Sequence, residues 1–120
     1  MGSDRTLKKR AQYFNVYKSG KFWVNNYIVV KALPNELEVS RCGFSVTKAL
    51  GNAVVRNKIR RRLKEIVRIE PIKPGWDIVF IARRSIVAAD YHQVKCSIEN
   101  LLVRAHLLRD KNERVSIGAN

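Results

Sequence analysis

The chain predicts an α+β fold, a single domain in which one small sheet of about three or four strands is covered by helices. Three observations carry this. Phe22 to Leu33 is dominated by aromatic and β-branched residues and reads as a strand. Val55, Ile59, Leu63 and Ile66 recur at intervals of four, four and three, the spacing of an amphipathic helix. The coarse order of elements is α, β, β, α, β, α. This order specifies the class but leaves the topology open. At 120 residues there is enough chain for one core and not two.

The elements follow in order. Lys8 to Lys18 reads as a short helix with Tyr13 and Tyr17 four apart on one face, and Val16 three after Tyr13. Ser19-Gly20 is a stop signal, with Gly20 expected in the left-handed conformation. The strand at Phe22 to Leu33 ends at the turn signal Pro34-Asn35. A second strand, about Glu38 to Val46, is expected antiparallel to the first. Thr47 to Asn52 is a loop, and Asn52 suits the cap of a helix running to about Glu70. Pro71, Pro74 and Gly75 break the chain. Asp77 to Ala82 is a short buried strand that ends at Arg83-Arg84-Ser85. Asp90 caps a last helix, with Gln93 completing a capping box. Val94, Ile98, Leu101, Leu102, Ala105 and Leu108 are its apolar stripe. The domain is expected to span residues 1–109, and residues 110–120 to form a polar tail.

Charge narrows the function. The chain has 24 Lys and Arg against 10 Asp and Glu, a net charge of +14. The excess is concentrated: seven of the thirteen residues from Arg56 to Arg68 are basic and only Glu65 is acidic. A surface of that density repels itself unless a polyanion lies against it, which points to nucleic acid. Arg56, Asn57, Arg60, Arg61, Lys64 and Arg68 fall on one broad polar side of the helix. Arginine forks match phosphate oxygens, and Asn57 can donate and accept toward bases or riboses. Lys48, in the preceding loop, is a further candidate phosphate contact. Arg62 falls inside the apolar arc and is expected either to snorkel outward past its neighbours or to leave the helix partly exposed there.

Aromatic side chains are the second binding feature. Tyr13 and Tyr17 have ring faces on which unpaired bases can stack, although their spacing alone favours core packing. Trp23, Phe44, Trp76 and Phe80 read as core or sheet-face residues.

Catalytic and metal-binding patterns are missing from the linear sequence. The acids are scattered without metal-site spacing, and His92 and His106 stand alone, so no catalytic or metal-ligating residue is assigned. Cys42 and Cys96 lack metal-ligand spacing and read as reduced thiols, with a disulfide as the alternative. No apolar run approaches the roughly 18–20 residues that span a bilayer. Met1 to Arg10 contains no stretch resembling a signal peptide. A cytoplasmic protein without a membrane partner is expected.

Specific residues then carry a resemblance. Gly51-Asn52-Ala53-Val54-Val55-Arg56-Asn57-Lys58-Ile59-Arg60-Arg61 resembles the signature of the bacterial ribonuclease P protein subunit. Cys42 to Lys48 is similar to the strand and loop before that signature. Leu7, Tyr13, Val16, Tyr17, Lys18 and Gly20 match its first helix, and Asp77 to Arg83 its buried strand. The resemblance covers about residues 7 to 108. It implies an α-β-β-β-α-β-α sandwich on a four-stranded sheet, of the ribosomal protein S5 domain 2-like kind. It also implies a left-handed β-α-β crossover, where the general rule favours the right hand.

In function, the resemblance implies an accessory subunit that assists a catalytic RNA. That RNA removes the 5′ leader from precursor transfer RNA with Mg²⁺, and the protein binds no cofactor of its own. The implied partners are this RNA, one per protein chain, and the single-stranded leader. Arg56, Asn57, Lys58, Arg60 and Arg61 fall in the RNA-contacting motif, flanked by Asn52, Lys64 and Lys48. Tyr13 and Tyr17 fall on the aromatic positions of the leader cleft, which reverses the preference drawn from spacing. Two positions depart from the family pattern. Lys58 replaces the motif's usual second arginine, keeping the charge without the fork. Lys31 stands at a cleft position that is often aromatic.

Overall fold

The computed structural model describes residues 5–109. The tail expected at 110–120 lies outside the described residues. The elements are α1 (Arg10–Ser19), β1 (Lys21–Val24), β2 (Ile28–Pro34), β3 (Arg41–Ser45), α2 (Ala53–Arg68), β4 (Trp76–Ala82) and α3 (Tyr91–Arg104). Short 3₁₀ turns at Lys48–Leu50 and Arg84–Ala88 precede α2 and α3.

The run expected as one strand, Phe22 to Leu33, is a hairpin. Asn25 supplies the physical reason. Its Oδ1 accepts from the backbone N–H groups of Tyr27 and Ile28, each at 3.1 Å, folding the chain back in an Asx-type turn. Its Nδ2 donates to the Ser97 carbonyl at 3.0 Å, tying the turn to α3. β1 and β2 then pair antiparallel.

The sheet order is β1-β2-β4-β3. β2 and β4 are antiparallel, whereas β3 and β4 are parallel. The pairing expected between the second strand and the first does not form, because β4 inserts between β2 and β3. That strand is also shorter than expected. Asn35 takes up the preceding loop by donating to the Val39 carbonyl and accepting from the Leu37 N–H.

Alternation divides the sheet's two faces. Ile28, Val30, Ala32, Ile78, Phe80 and Ala82 turn to the main core, with Ile59, Leu63 and Ile66 of α2 and Val94, Ile98, Leu101 and Leu102 of α3. Phe44 stacks on Phe80 with ring centroids 5.5 Å apart. Leu33, Val79 and Ile81 turn the other way and meet Leu7, Tyr13 and Val16. β4 is thus covered on both faces, which is why Ile78 to Ala82 is an unbroken apolar run.

Gly20 differs from expectation. Its φ is −76°, so the chain leaves α1 extended rather than left-handed. A β-carbon there would lie 2.6 Å from the Val16 carbonyl oxygen and 2.9 Å from that of Ala32. The glycine is required by this close approach of two backbones. At the far end of the sheet Arg41 grips buried Asp77 with two hydrogen bonds, Nε to Oδ1 at 2.8 Å and Nη2 to Oδ2 at 2.7 Å. Asn35 adds a third at 2.9 Å. Together they satisfy a carboxylate that would be costly to bury alone.

Candidate nucleic-acid interface

The basic helix starts where the sequence places it. Asn52 Oδ1 accepts from the Val55 N–H at 3.0 Å, so this side chain is the N-cap of α2. Gly51, with φ at +146°, takes a conformation that side chains resist, and a β-carbon there would press on Val55 at 3.1 Å. The Gly-Asn pair therefore builds the start of the helix. Beyond it, Asn57, Lys58, Arg61, Lys64 and Arg68 are exposed, as is Lys48 in the preceding turn.

Arg56 and Arg60 are half-buried and held. Arg56 Nε donates to the Gly51 carbonyl at 3.2 Å, and Arg60 Nη1 to Asn57 Oδ1 at 3.0 Å. These bonds pre-order two forks before any ligand arrives. Arg62 reaches out of the apolar arc to donate to the Ala89 carbonyl at 3.2 Å, which makes it a strut between α2 and the loop before α3.

The aromatic residues of the candidate cleft lie on the sheet face that carries α1. Cross-strand partners share a face. One row therefore runs Phe22, Lys31, Val79, Gly43 across all four strands, and the next runs Val24, Val29, Ile81, Ser45. α1 crosses the first row. Tyr13 sits over Gly43 on β3, and Tyr17 over Lys31 on β2. The tyrosine ring centroids are 6.4 Å apart. Lys31 faces this cleft, with Nζ 5.5 Å from the Tyr17 ring centroid and donating to the Tyr17 carbonyl at 3.4 Å. Its cation rests on the negative ring face. Val29, Ile81 and Ser45 form a half-buried floor. Sequence reasoning missed them because their exposure depends on how far α1 extends over the sheet.

The two tyrosines differ. Tyr17 is exposed. Tyr13 is half-buried, and its hydroxyl donates to the Leu7 carbonyl at 3.4 Å while taking the Phe44 backbone N–H. Leu7 itself donates to the Cys42 carbonyl at 3.0 Å. The segment at Thr6-Leu7 and the Tyr13 hydroxyl together complete the outer edge of β3. Core packing and cleft lining, which spacing presents as alternatives, are both true of Tyr13. Burial raises the pKa of its hydroxyl, and the Phe44 N–H and the nearby Arg60 charge act in the opposite direction.

α2 packs against β3 from the main-core side, and Tyr13 meets the other face of that strand at Gly43. The two candidate surfaces therefore share edge strand β3. Lys64 lines a cavity of about 400 Å³ that reaches the same β3 edge, with Thr6, Cys42, Phe44, Arg68 and Arg109.

Among the described residues no three or more His, Cys, Asp or Glu side chains gather in a way that could hold a metal ion. No step is assigned to a protein-held metal. No described helix is long and apolar enough to cross a membrane.

Comparison with known proteins bears on this arrangement. The family model for ribonuclease P matches residues 1–106. The ribonuclease P protein component of Caldanaerobacter subterraneus subsp. tengcongensis is 43% identical over 107 residues, covering 88% of this chain and 92% of the relative. That of Clostridioides difficile is 45% identical over 104 residues, covering 84% and 91%. Among solved structures, the Staphylococcus aureus RNase P protein superposes with a TM-score of 0.80 at 36% identity, covering 88% of this chain and 98% of that one. The protein from Thermotoga maritima gives 0.77 at 34% identity, covering 82% and 96%. With the motif that builds α2 and these matches over most of its length, the chain belongs to the ribonuclease P protein component family.

Proposed function

We propose that the protein binds the catalytic RNA of ribonuclease P through the exposed basic face of α2 and the single-stranded 5′ leader of precursor transfer RNA through the cleft beneath α1. Cleavage belongs to the RNA, which holds the Mg²⁺, in a complex with one protein chain. The observation that carries this reading is that the basic helix α2 and the Tyr13 ring bear on the same edge strand, β3, from its two faces. A strand leaving the α2 surface meets ring faces at once. Stacking selects unpaired bases, because a base offers its face only outside a duplex. Charge supplies affinity without sequence preference.

Reconstitution tests it. Added to a bacterial ribonuclease P RNA at low Mg²⁺, the protein should accelerate leader removal and tighten binding of leader-bearing substrate over mature transfer RNA. Equal affinity for both, with no gain in cleavage, would overturn the proposal. Cleavage by protein free of RNA would overturn the accessory role.

A further inference from the structure

The aromatic track does not stop at Tyr17. Phe22, on edge strand β1, is the direct cross-strand partner of Lys31 and shares its face. It is 62% exposed, a large apolar ring that the fold itself does not use. Trp23, its neighbour, turns to the opposite face and packs on the main core. Alternation therefore aims Phe22 at the cleft side by default. Along the row the groups run Tyr13 over Gly43, Val79, Lys31 with Tyr17 above it, and then Phe22. Three strand spacings separate the ends, roughly 14 Å. α2 packs on the strand at one end of the row, β3, and Phe22 stands at the other.

We infer that Phe22 is a further stacking platform for the leader, taking a nucleotide farther from the cleavage site than those on Tyr13 and Tyr17. This rests on the proposed function. The catalytic RNA lies against α2, so the leader enters the cleft from the β3 side and travels toward β1. A base that has passed Tyr17 and Lys31 reaches Phe22 next. Lys31 lies beneath the Tyr17 ring and next to Phe22 in the cross-strand row, where its ammonium can meet a phosphate of the chain stacked on them. A cation beside two ring platforms fits a single-stranded chain, which alternates phosphates and flat bases. Leaders that end before β1 do not reach Phe22, so its contribution depends on leader length.

The test is binding of precursor transfer RNAs to the reconstituted holoenzyme, with leaders lengthened one nucleotide at a time. Phe22→Ala and Phe22→Thr should weaken binding of long leaders by roughly 5- to 100-fold, the range of one base–aromatic stack. Short leaders should be unaffected, and Phe22→Trp should retain the gain. Tyr17→Ala serves as the reference and should weaken binding once a leader reaches the cleft. A Tyr17→Ala loss with no Phe22 effect at any length would overturn this inference and leave the proposed function standing. No loss from either would overturn both. Equal Phe22 losses on leaderless and leader-bearing RNA would show a structural role. A change only in self-association of the free protein would assign the ring to contact between copies. Either outcome overturns the inference.

Discussion

Gly43 and Tyr13 fit together as a socket and its plug: a β-carbon at position 43 would lie 2.5 Å from the Tyr13 hydroxyl oxygen and 2.6 Å from its ring Cζ. Gly43 is buried in β3, so the ring has no room to retreat inward. Gly43→Ala should therefore push Tyr13 out of place. The expected cost is about 1–3 kcal/mol of stability, as for overpacking, together with weaker leader binding. Urea unfolding and precursor-binding titrations on one sample check both. Unchanged values in both would show that the ring is free to move.

Tyr13 offers two separable features, a bonded hydroxyl and a half-exposed ring, so two substitutions should behave differently. Tyr13→Phe removes only the bonds to the Leu7 carbonyl and the Phe44 N–H. It should cost about 1 kcal/mol of stability and spare leader affinity. Tyr13→Ala should in addition lose roughly 1–3 kcal/mol on leader-bearing substrate and nothing extra on mature transfer RNA. If the phenylalanine variant loses as much leader affinity as the alanine one, the hydroxyl and not the ring makes the contact.

Binding should weaken steeply with salt. If about five phosphates are neutralised, the log–log slope on a single strand is about −3.5. Replacing exposed Arg61 or Lys58 by Gln should lessen the slope by roughly 0.7 for each phosphate that is no longer neutralised. Arg62→Gln makes a contrast, because its donor is spent on the Ala89 carbonyl. It should lower stability and leave the slope alone. A salt response that is flat in the unmodified protein would refute phosphate contacts as the source of affinity.

The thiols should separate cleanly. Cys42 packs against the main core and Cys96 is exposed on α3. Burial, reinforced by the Asp77 carboxylate, pushes the Cys42 thiol up to about 12 from an ordinary 9.0. A thiol reagent at pH 8 should label one cysteine per native chain and two after unfolding. Stability should also fall with rising pH above about 9. Between the two values the native thiol keeps its proton while the unfolded one has lost it, so unfolding releases a proton and alkali favours it. The raised Tyr13 hydroxyl adds to this trend at still higher pH. Denaturation midpoints that stay level across this range would contradict the assignment.

Much of the site was legible in the residues. Four-and-three spacing marked α2, and the basic excess opposite that stripe marked its exposed face. The Asn52 cap and the Asp90–Gln93 capping box are local, made within one turn, so they follow from neighbouring letters alone. The resemblance named Tyr17 and Lys31 together, and in the structure the Lys31 Nζ lies 5.5 Å from the Tyr17 ring centroid. The Asn25 turn was hidden because Trp23, Val24, Tyr27 and Ile28 flank it with strand formers, and its anchor, Ser97, lies far along the chain.

By itself the sequence determined the periodicities, the caps, the polyanion-seeking charge and a motif specific enough to place the family. Tertiary structure alone decided that β4 separates β2 from β3, that Tyr13 seals the β3 edge, and that the basic helix α2 packs on that same strand. The physical reason is range. Helix and turn preferences act between residues a few positions apart, whereas strand order and the meeting of two surfaces depend on packing energies shared among distant segments, which no local pattern records.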